Sequence, residues 1–476
     1  MPAFKQKQPA IRLATTLTAA LLLGGCAVGP DYLRPGFLFP EQEKSAPAAE
    51  ARTEVPINAQ WWTLFADSTL NNLEQQAVEA NQDLQAAVAR LEGAEAAARE
   101  AGADYLPSAS LGVNSSRNQI SGKTFSGQSS GHATYNDTRA AVSLSYEIDL
   151  WGRVRRSNEA ARAEVLASRF GRDTVRLTLA GQVASEYLTL RNLDAQLEVT
   201  QETLASRQKS LKIVNARLEA GSTSPLEQSQ AESALAAAQA QWNQLHRLRA
   251  LSESQLGLLT GQTGLKIAAA NLDALPLPPS PPIGLHSSLL EARPDIRQAE
   301  EKLIAANARI GVAKAAYFPS IGLTGLYGGE SMALASLFNS GASIWSAAIG
   351  LSMPIFDAGR TGSRVDQATA VQKEALANYR KTVQTAFKEV NDALVGIKEY
   401  DEEESANRAQ VTAARRAQEL AQARYEAGYS GFMDVLDAQR TTNSAQLQYL
   451  TSRRNRLAVS VDLFKALGGG WQTAAD

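Results

Sequence analysis

The sequence predicts a mainly α-helical chain with a membrane β-barrel portion, internally duplicated so that one protomer holds four strands and four long helical columns. Three observations carry this prediction. The segments NQDLQAAVARLEGAEAAAREAGADYLPSASLG, from Asn81, and RPDIRQAEEKLIAANARIGVAKAAYFPSIGLT, from Arg293, align at a constant offset of 212, with Asp83 on Asp295, Leu91 on Leu303, Tyr105 on Tyr317 and Pro107 on Pro319. Farther on, Gly152 matches Gly359 at an offset of 207, a register kept by Val183 and Val390, Arg217 and Arg424, Gly221 and Gly428, and Gly261 and Gly468. In each half the hydrophobic period changes from helix to strand and back, and the second helical stretch is a proline-free heptad pattern too long for a compact domain.

Residues 1-25 read as a lipoprotein signal peptide: Lys5, Lys7 and Arg12 precede LATTLTAALLLGG, which is too short to span a bilayer. Cys26, the single cysteine, follows at once in LGGC. It cannot form an internal disulfide and stands where such a signal places its acylated residue, so a covalent lipid on Cys26 is expected; the alternative is a buried free thiol. Cleavage removes three cationic residues, taking the net charge from −2 to −2 − 3 = −5. Residues 26-65 read as an acylated, extended N-terminal arm. At 44% hydrophobic and 20% charged the chain can bury a core, and with no basic run interleaved with aromatics it offers nothing to nucleic acid.

The first repeat is expected over 66-265 and the second over 293-469, joined by a Pro-rich linker at 266-292 and followed by a short tail, 470-476. Each repeat starts with an Ala-, Glu- and Arg-rich helix, 82 to 104 or 294 to 316, stopped by Pro107 or Pro319. Hairpins follow at 107-150 and 319-356. Ala140, Val142, Leu144, Tyr146 and Ile148 alternate with small or polar residues, as do Trp345, Ala347, Ile349, Leu351 and Met353. That is the period of a strand with one apolar and one wet face, at a length of about ten residues that suits a tilted membrane strand. Tyr105, Trp151, Tyr317 and Phe356 stand at the helix-side strand ends, where an aromatic girdle belongs. Four strands cannot close a barrel, whereas three copies would supply twelve.

From Val154 to Glu219 there is no proline, and Val183, Leu190, Leu197, Leu204, Leu211 and Leu218 recur every seven residues; Val383, Val390, Ile397 and Val411 echo them. Such a helix would be about 100 Å long. Return helices are expected over 226 to 260 and 433 to 467. Placed end to end with the pre-hairpin helices, they match one long helix and complete the columns.

Between long and return helices lie two corners, RLEAGSTSPLEQSQ and RYEAGYSGFMDVLD, with tips at 220-225 and 427-432. Gly221 is placed to end its helix in the left-handed conformation, and Ser224-Pro225-Leu226-Glu227 predicts a capping box. In the second corner Asp434 fits the first turn of a helix, while Asp437, three residues on, shares its face. In a trimer with that face on the axis, six carboxylates would converge and draw cations.

With the motifs CAVGPDYLRP, WWTLFADSTLNNL, the paired Tyr-Leu/Phe-Pro-Ser junctions, LSYEIDLWGR, both R[L/Y]EAG corners and MDVLDAQR, the chain resembles the TolC family of outer-membrane efflux ducts, specifically its lipoprotein branch serving pumps of the resistance-nodulation-division class. The resemblance implies a homotrimer with a 12-stranded β-barrel in the outer-membrane lipid, an α-helical barrel through the periplasm and an equatorial domain. By it, Arg217, Ala220, Gly221, Arg424, Ala427 and Gly428 are tips that meet a periplasmic adaptor protein fed by an inner-membrane pump, and Tyr425, Asp434 and Asp437 form the closing constriction. Some relatives carry a gate arginine two residues after the second tip glycine; here Ser430 stands there. The implied activity is passive conduction of drugs, toxic compounds or metal ions.

Other classes fit less well. Gly127-Gln128-Ser129-Ser130-Gly131 matches a hydrolase elbow but falls between strands, and His132, His246 and His286 are scattered, so neither a catalytic nor a metal site is expected. A non-conducting envelope scaffold lipoprotein would explain the helices but not the alternating hairpins. A type I protein-secretion duct is the remaining alternative.

Overall fold

In the computed structural model, the structure describes residues 27–36, 60–121, 123, 134–278 and 293–469; the signal segment, Cys26, His132, His286, the hydrolase-like loop and the tail lie outside them. Seven α-helices and four strands follow in chain order among the described residues: α1 Ser68–Ala80, α2 Gln82–Ala103, β1 Ser108–Gln119, β2 Thr134–Ile148, α3 Arg153–Glu219, α4 Pro225–Leu259, α5 Pro294–Ala315, β3 Ser320–Ser331, β4 Ser343–Ser352, α6 Arg360–Glu426 and α7 Phe432–Ala466. The helices of the two repeats have equal lengths: 22 residues before the hairpin, 67 after it and 35 on the return.

Two compact units form, and neither is a sequence repeat. One takes Leu91–Ser168 and Ala299–Tyr379 with the N-terminal arm; the other takes the segment up to Arg90 with Arg169–Gln298 and the chain from Arg380. In the first, all four strands join one antiparallel sheet in the order β1-β2-β3-β4. Its register lines up Leu111, Val142, Tyr327 and Trp345 in one cross-strand row, and Tyr146, Leu323 and Ile349 in another. Residues directly opposite share a face, so one face is an apolar band and the other carries Ser110, Ser143 and Ser346. From Trp345 to Leu351 that band is about 20 Å deep at 3.3 Å per residue. Tyr105, Tyr317 and Phe356 are exposed at the helix-side ends. Trp151 differs from them: its ring stacks on Phe318 at 4.7 Å and its Nε1 donates to Pro319 O at 2.8 Å. It therefore ties the two hairpins together where a fourth free girdle residue was expected.

The arm is strapped down in the same unit. Val28 N donates to Trp151 O, Asn307 Nδ2 to Pro30 O, Arg156 to Asp31 at 2.6 Å, and Tyr32 and Arg34 both to Glu300. Gly29, at φ +113°, lies so close to Gly311 that a Cβ built on it would sit 2.5 Å from the Gly311 Cα. Glycine is required on both sides of this contact.

The second unit holds the largest core, and the end of the expected arm belongs to it. Trp61–Phe65 is a short 3-10 helix, not extended chain. Trp61 packs edge-on to Trp62 and Phe65 and stacks on Phe464 at 5.4 Å. Three large aromatics in five residues bury too much apolar surface for an arm in solvent. Linker residues Leu272 and Leu275 join the same core. Asp67 caps α1 through Thr69 N and Leu70 N and also accepts from the Tyr187 hydroxyl.

The column joints are made in this unit by different chemistry in each repeat. Asn81 caps α2 through Leu84 N at 3.0 Å while its Nδ2 donates to Leu259 O at the end of α4. At the matching joint Arg293 donates to Ala466 O, at 2.8 Å, and is held by Asp295 and Glu389. Gly261 and Gly468 end α4 and α7 with φ of +68° and +85°.

The heptad seam is mixed. Val183 and Leu190 are fully buried, but Leu197, Leu204, Leu211 and Leu218 are only half-buried. Toward the tip it is the adjoining row of Leu193, Thr200, Arg207 and Val214 that is buried. In α6 the gap between Ile397 and Val411 is Glu404, 2% exposed. It accepts from Arg408, Arg453 and Arg456 at 3.3, 3.4 and 2.9 Å.

Two outcomes follow. Glu404→Ala leaves the buried Arg453 with only the Asp273 carboxylate, at 4.0 Å, and should cost about 3 kcal/mol, read as a lower denaturation midpoint; an unchanged midpoint would show the cluster to be solvated. Gly311→Val places a Cβ about 2.8 Å from Val28 O and Arg156 Cγ, so limited proteolysis should cut the arm near residues 27–36 in the variant and spare the parent.

Candidate functional site

Both corners end their long helix in the same way. Ser222 N donates to Arg217 O and Gly221 N to Leu218 O; Tyr429 N donates to Arg424 O and Gly428 N to Tyr425 O. This is the Schellman pattern, which needs a left-handed residue at the turn, and Gly221 and Gly428 supply φ of +69° and +79°. Nothing lies within 4 Å of a Cβ added at either glycine, so backbone conformation, not crowding, fixes these residues. Of the residues expected at a docking tip, Ala220, Gly221, Arg424, Ala427 and Gly428 are exposed and Arg217 is half-buried.

The capping box predicted at Ser224 does not form. Ser224 is the N-cap residue and Pro225 opens α4, but no side-chain cap bond is made. The Glu227 carboxylate accepts instead from the Thr223 hydroxyl, a partner one residue nearer the tip that leaves Ser224 free. In the second corner the cap is Gly431, with Asp434 in the first turn of α7.

The structure brings the two corners together. Val214, Ala231 and Ala234 from the first repeat pack with Tyr425, Phe432, Val435 and Leu436 from the second in one buried cluster. Tyr425, expected at the constriction, is 7% exposed within it. Its ring lies 5.6 Å from that of Phe432, and the Arg217 guanidinium sits over the same tyrosine ring at 4.6 Å from the centroid. Arg217 and Tyr425, expected at a docking tip and at a constriction, are thus one cation–π pair joining the repeats. Two hydroxyls of this corner, Tyr425 Oη and Ser430 Oγ, are buried without a hydrogen-bond partner.

Asp434 and Asp437 are different in kind. Both are exposed, and neither carboxylate makes a hydrogen bond or ion pair among the described residues. Asp434 can favour the N-terminus of α7 through the helix dipole; Asp437, a turn farther in, gains little from it. Within one chain Asp437 therefore has no structural employment. No group of three or more His, Cys, Asp or Glu among the described residues could hold a metal ion.

Sequence reasoning missed Phe432, the aromatic partner of Tyr425, and the Arg207 to Gln439 hydrogen bond between α3 and α7. Phe432 opens a helix, where it reads as a loop residue. Arg207 shares its heptad row with Leu193, Thr200 and Val214, a mixed row that gives no apolar signal of burial.

Comparison with known proteins places the chain among channels. The family model described as outer membrane efflux protein matches residues 73–262 and 285–469, one match per repeat. The toluene efflux pump outer membrane protein TtgF of Pseudomonas putida is 36% identical over 465 residues, covering 96% of each chain. Outer membrane protein OprJ of Pseudomonas aeruginosa is 34% identical over 474 residues, covering 98% of this chain and 97% of its own. Among solved structures, the CmeC outer membrane channel of Campylobacter jejuni superposes with a TM-score of 0.86 at 28% identity, over 95% of this chain and 96% of that one.

Phe432→Ala should loosen the corner, removing about 3 kcal/mol of local packing, whereas Arg217→Gln should cost only about 1 kcal/mol. Hydrogen exchange in residues 425–436 reads both, with faster exchange expected in that order; equal protection in Phe432→Ala and the parent would show the cluster not to hold the tip.

Proposed function

The chain belongs to the outer membrane efflux protein family, and from that premise we propose that it is the outer-membrane exit duct of a tripartite efflux system. In this reading it is a homotrimer with twelve strands, lipid-anchored at Cys26. Its tips meet a periplasmic adaptor that connects it to an inner-membrane pump of the resistance-nodulation-division class. It conducts passively, and selection lies in the pump. TtgF is named for toluene efflux, which favours small organic cargo over the polypeptides of a type I secretion duct.

The observation that carries this reading is the open sheet. β1 pairs with β2 alone and β4 with β3 alone among the described strands, leaving an unpaired edge on each. An edge strand beside an apolar face must be covered or paired, and the β4 edge of one copy offers what the β1 edge of the next lacks. The helices agree: Leu251 and Leu258, seven apart on α4, are 55% and 71% exposed. An apolar heptad row left in solvent is a seam awaiting another helix.

Asp434 and Asp437 are proposed as the constriction, with Tyr425 holding their helix through the tip cluster. With Ser430 in place of an arginine, no cation in the same corner neutralises them. The reading is tested in planar bilayers. The parent is expected to show closed or small-conductance channels, and Asp434→Ala with Asp437→Ala a larger open fraction. Absence of current from both, with insertion demonstrated, would favour the non-conducting scaffold. Crosslinking in detergent should stop at a trimer band; a monomer under every crosslinker would overturn the assembly.

A further inference from the structure

Between α3, α6 and α7 lies a cavity of about 590 Å³, lined among others by Arg207, Arg415, Gln418, Gln439, Asn443 and Gln446. Arg207 is 5% exposed. A guanidinium buried to that degree is ordinarily matched by a carboxylate, because an uncompensated buried charge is strongly unfavourable. Here it is not matched. The single hydrogen-bond partner of Arg207 among the described residues is the Gln439 side-chain oxygen, and no carboxylate lies within ion-pair distance. Every other deeply buried arginine whose contacts are described above, Arg156, Arg293 and Arg453, has an acid.

The surrounding charges deepen the deficit. Arg440 stands near enough to Arg207 to disfavour its charged form, in addition to the effect of burial. Arg415 adds a second guanidinium to the wall. Of the two acids in the lining, Glu419 is engaged by Arg416 at 3.1 Å, leaving Glu202 on an exposed turn of α3. Apart from Val199 the rest of the wall is amides and hydroxyls: Thr203 donates to Asn443 Oδ1 and Asn443 Nδ2 to Gln241, which fixes Asn443 between α3 and α4.

We propose that this cavity is a binding site for a small organic carboxylate, whose anionic group pairs with Arg207 and Arg415 and whose body lies along the amide wall. One fork-shaped guanidinium at depth matches the two oxygens of a carboxylate. The volume falls in the range of small-ligand sites. The bound acid would supply the counter-charge that the fold omits and bridge α3 of the first repeat to α6 and α7 of the second. The site does not depend on whether the protein conducts.

The test uses the full-length protein purified in detergent, titrated calorimetrically with sodium glutarate at constant ionic strength, and with sodium phosphate in a parallel arm. Saturable glutarate binding is expected in the parent, weakened about tenfold or more in Arg207→Met and severalfold in the exposed Arg415→Met, with phosphate weaker than glutarate. Lys388→Met, which removes the exposed ion pair with Asp392 and touches no residue of the cavity lining, should bind as the parent does. Arg415→Met keeps the test decisive where Arg207→Met does not fold. No saturable binding by the parent, or parent-like binding by Arg415→Met and by any folded Arg207→Met, would overturn the site. Tighter binding of phosphate than of glutarate would overturn the carboxylate assignment.

Discussion

The constraint on which the rest of the molecule depends is the pairing of backbone groups along the outer edges of β1 and β4. Within a bilayer an N–H or C=O without a partner costs several kcal/mol, and a strand edge exposes a row of them. The apolar rows running from Leu111 to Trp345 and from Tyr146 to Ile349 put this sheet in such a medium on one face. β2 and β3 are satisfied on both sides; β1 and β4 are not. Four strands cannot curl far enough to join their own edges, so the demand passes to other copies of the chain. In the proposed assembly Leu251 and Leu258 of α4, exposed in the single chain, are offered to a helix of another copy.

Duplication meets that demand economically. Two repeats whose helices have the same lengths deliver their hairpins to one sheet and their corners to one cluster. Matching lengths are the part of the sequence that could not drift, since a one-residue change would rotate every side chain beyond it by about 100°. The joints and caps could drift, and did. Asn81 and Arg293 close equivalent joints with an amide and a guanidinium. The first corner ties its acid to Thr223, whereas the second leaves Asp434 and Asp437 in solvent. Divergence is concentrated where local hydrogen bonds, not helix phase, set the requirement.

Periodicity explains how much of this could be read beforehand. The duplication, the glycines that end helices and the alternation in β2 and β4 are local signals; the helices start and stop within a residue of their expected bounds, whereas β2 starts at Thr134, six residues before the alternation that begins at Ala140. Partnerships across the fold were not local. WWTLF looked like the end of an arm because nothing nearby shows that Phe464 waits to stack on Trp61. Trp151 looked like a girdle residue because Phe318 and the Pro319 carbonyl approach it only after β2 and β3 pair. At the site, the glycine corners and the exposure of the two aspartates followed from turn chemistry and helical spacing. The burial of Tyr425 under Arg217 needed the first corner to be laid beside the second, which no spacing within either one encodes.

The polar residues in the long seams point to what an apolar heptad cannot do alone. A seam of Ala, Val and Leu over 67 residues repeats itself every seven, so a slip of one heptad exchanges one set of apolar contacts for another at small cost. Glu404 breaks that degeneracy. Seven residues from Arg453 lie Gln446 and Ser460, and seven from Arg456 lie Tyr449 and Leu463, so a slipped α7 would take both of its guanidiniums from the buried carboxylate and leave it only Arg408 of its own helix. The loss of two charge-assisted partners to a buried acid falls on the slipped register alone. A leucine at position 404 would pack in both registers and distinguish neither. The cluster around Glu404 is therefore better understood as selecting one alignment of α6 on α7 than as adding to the stability of the aligned state, where desolvation offsets most of its attraction.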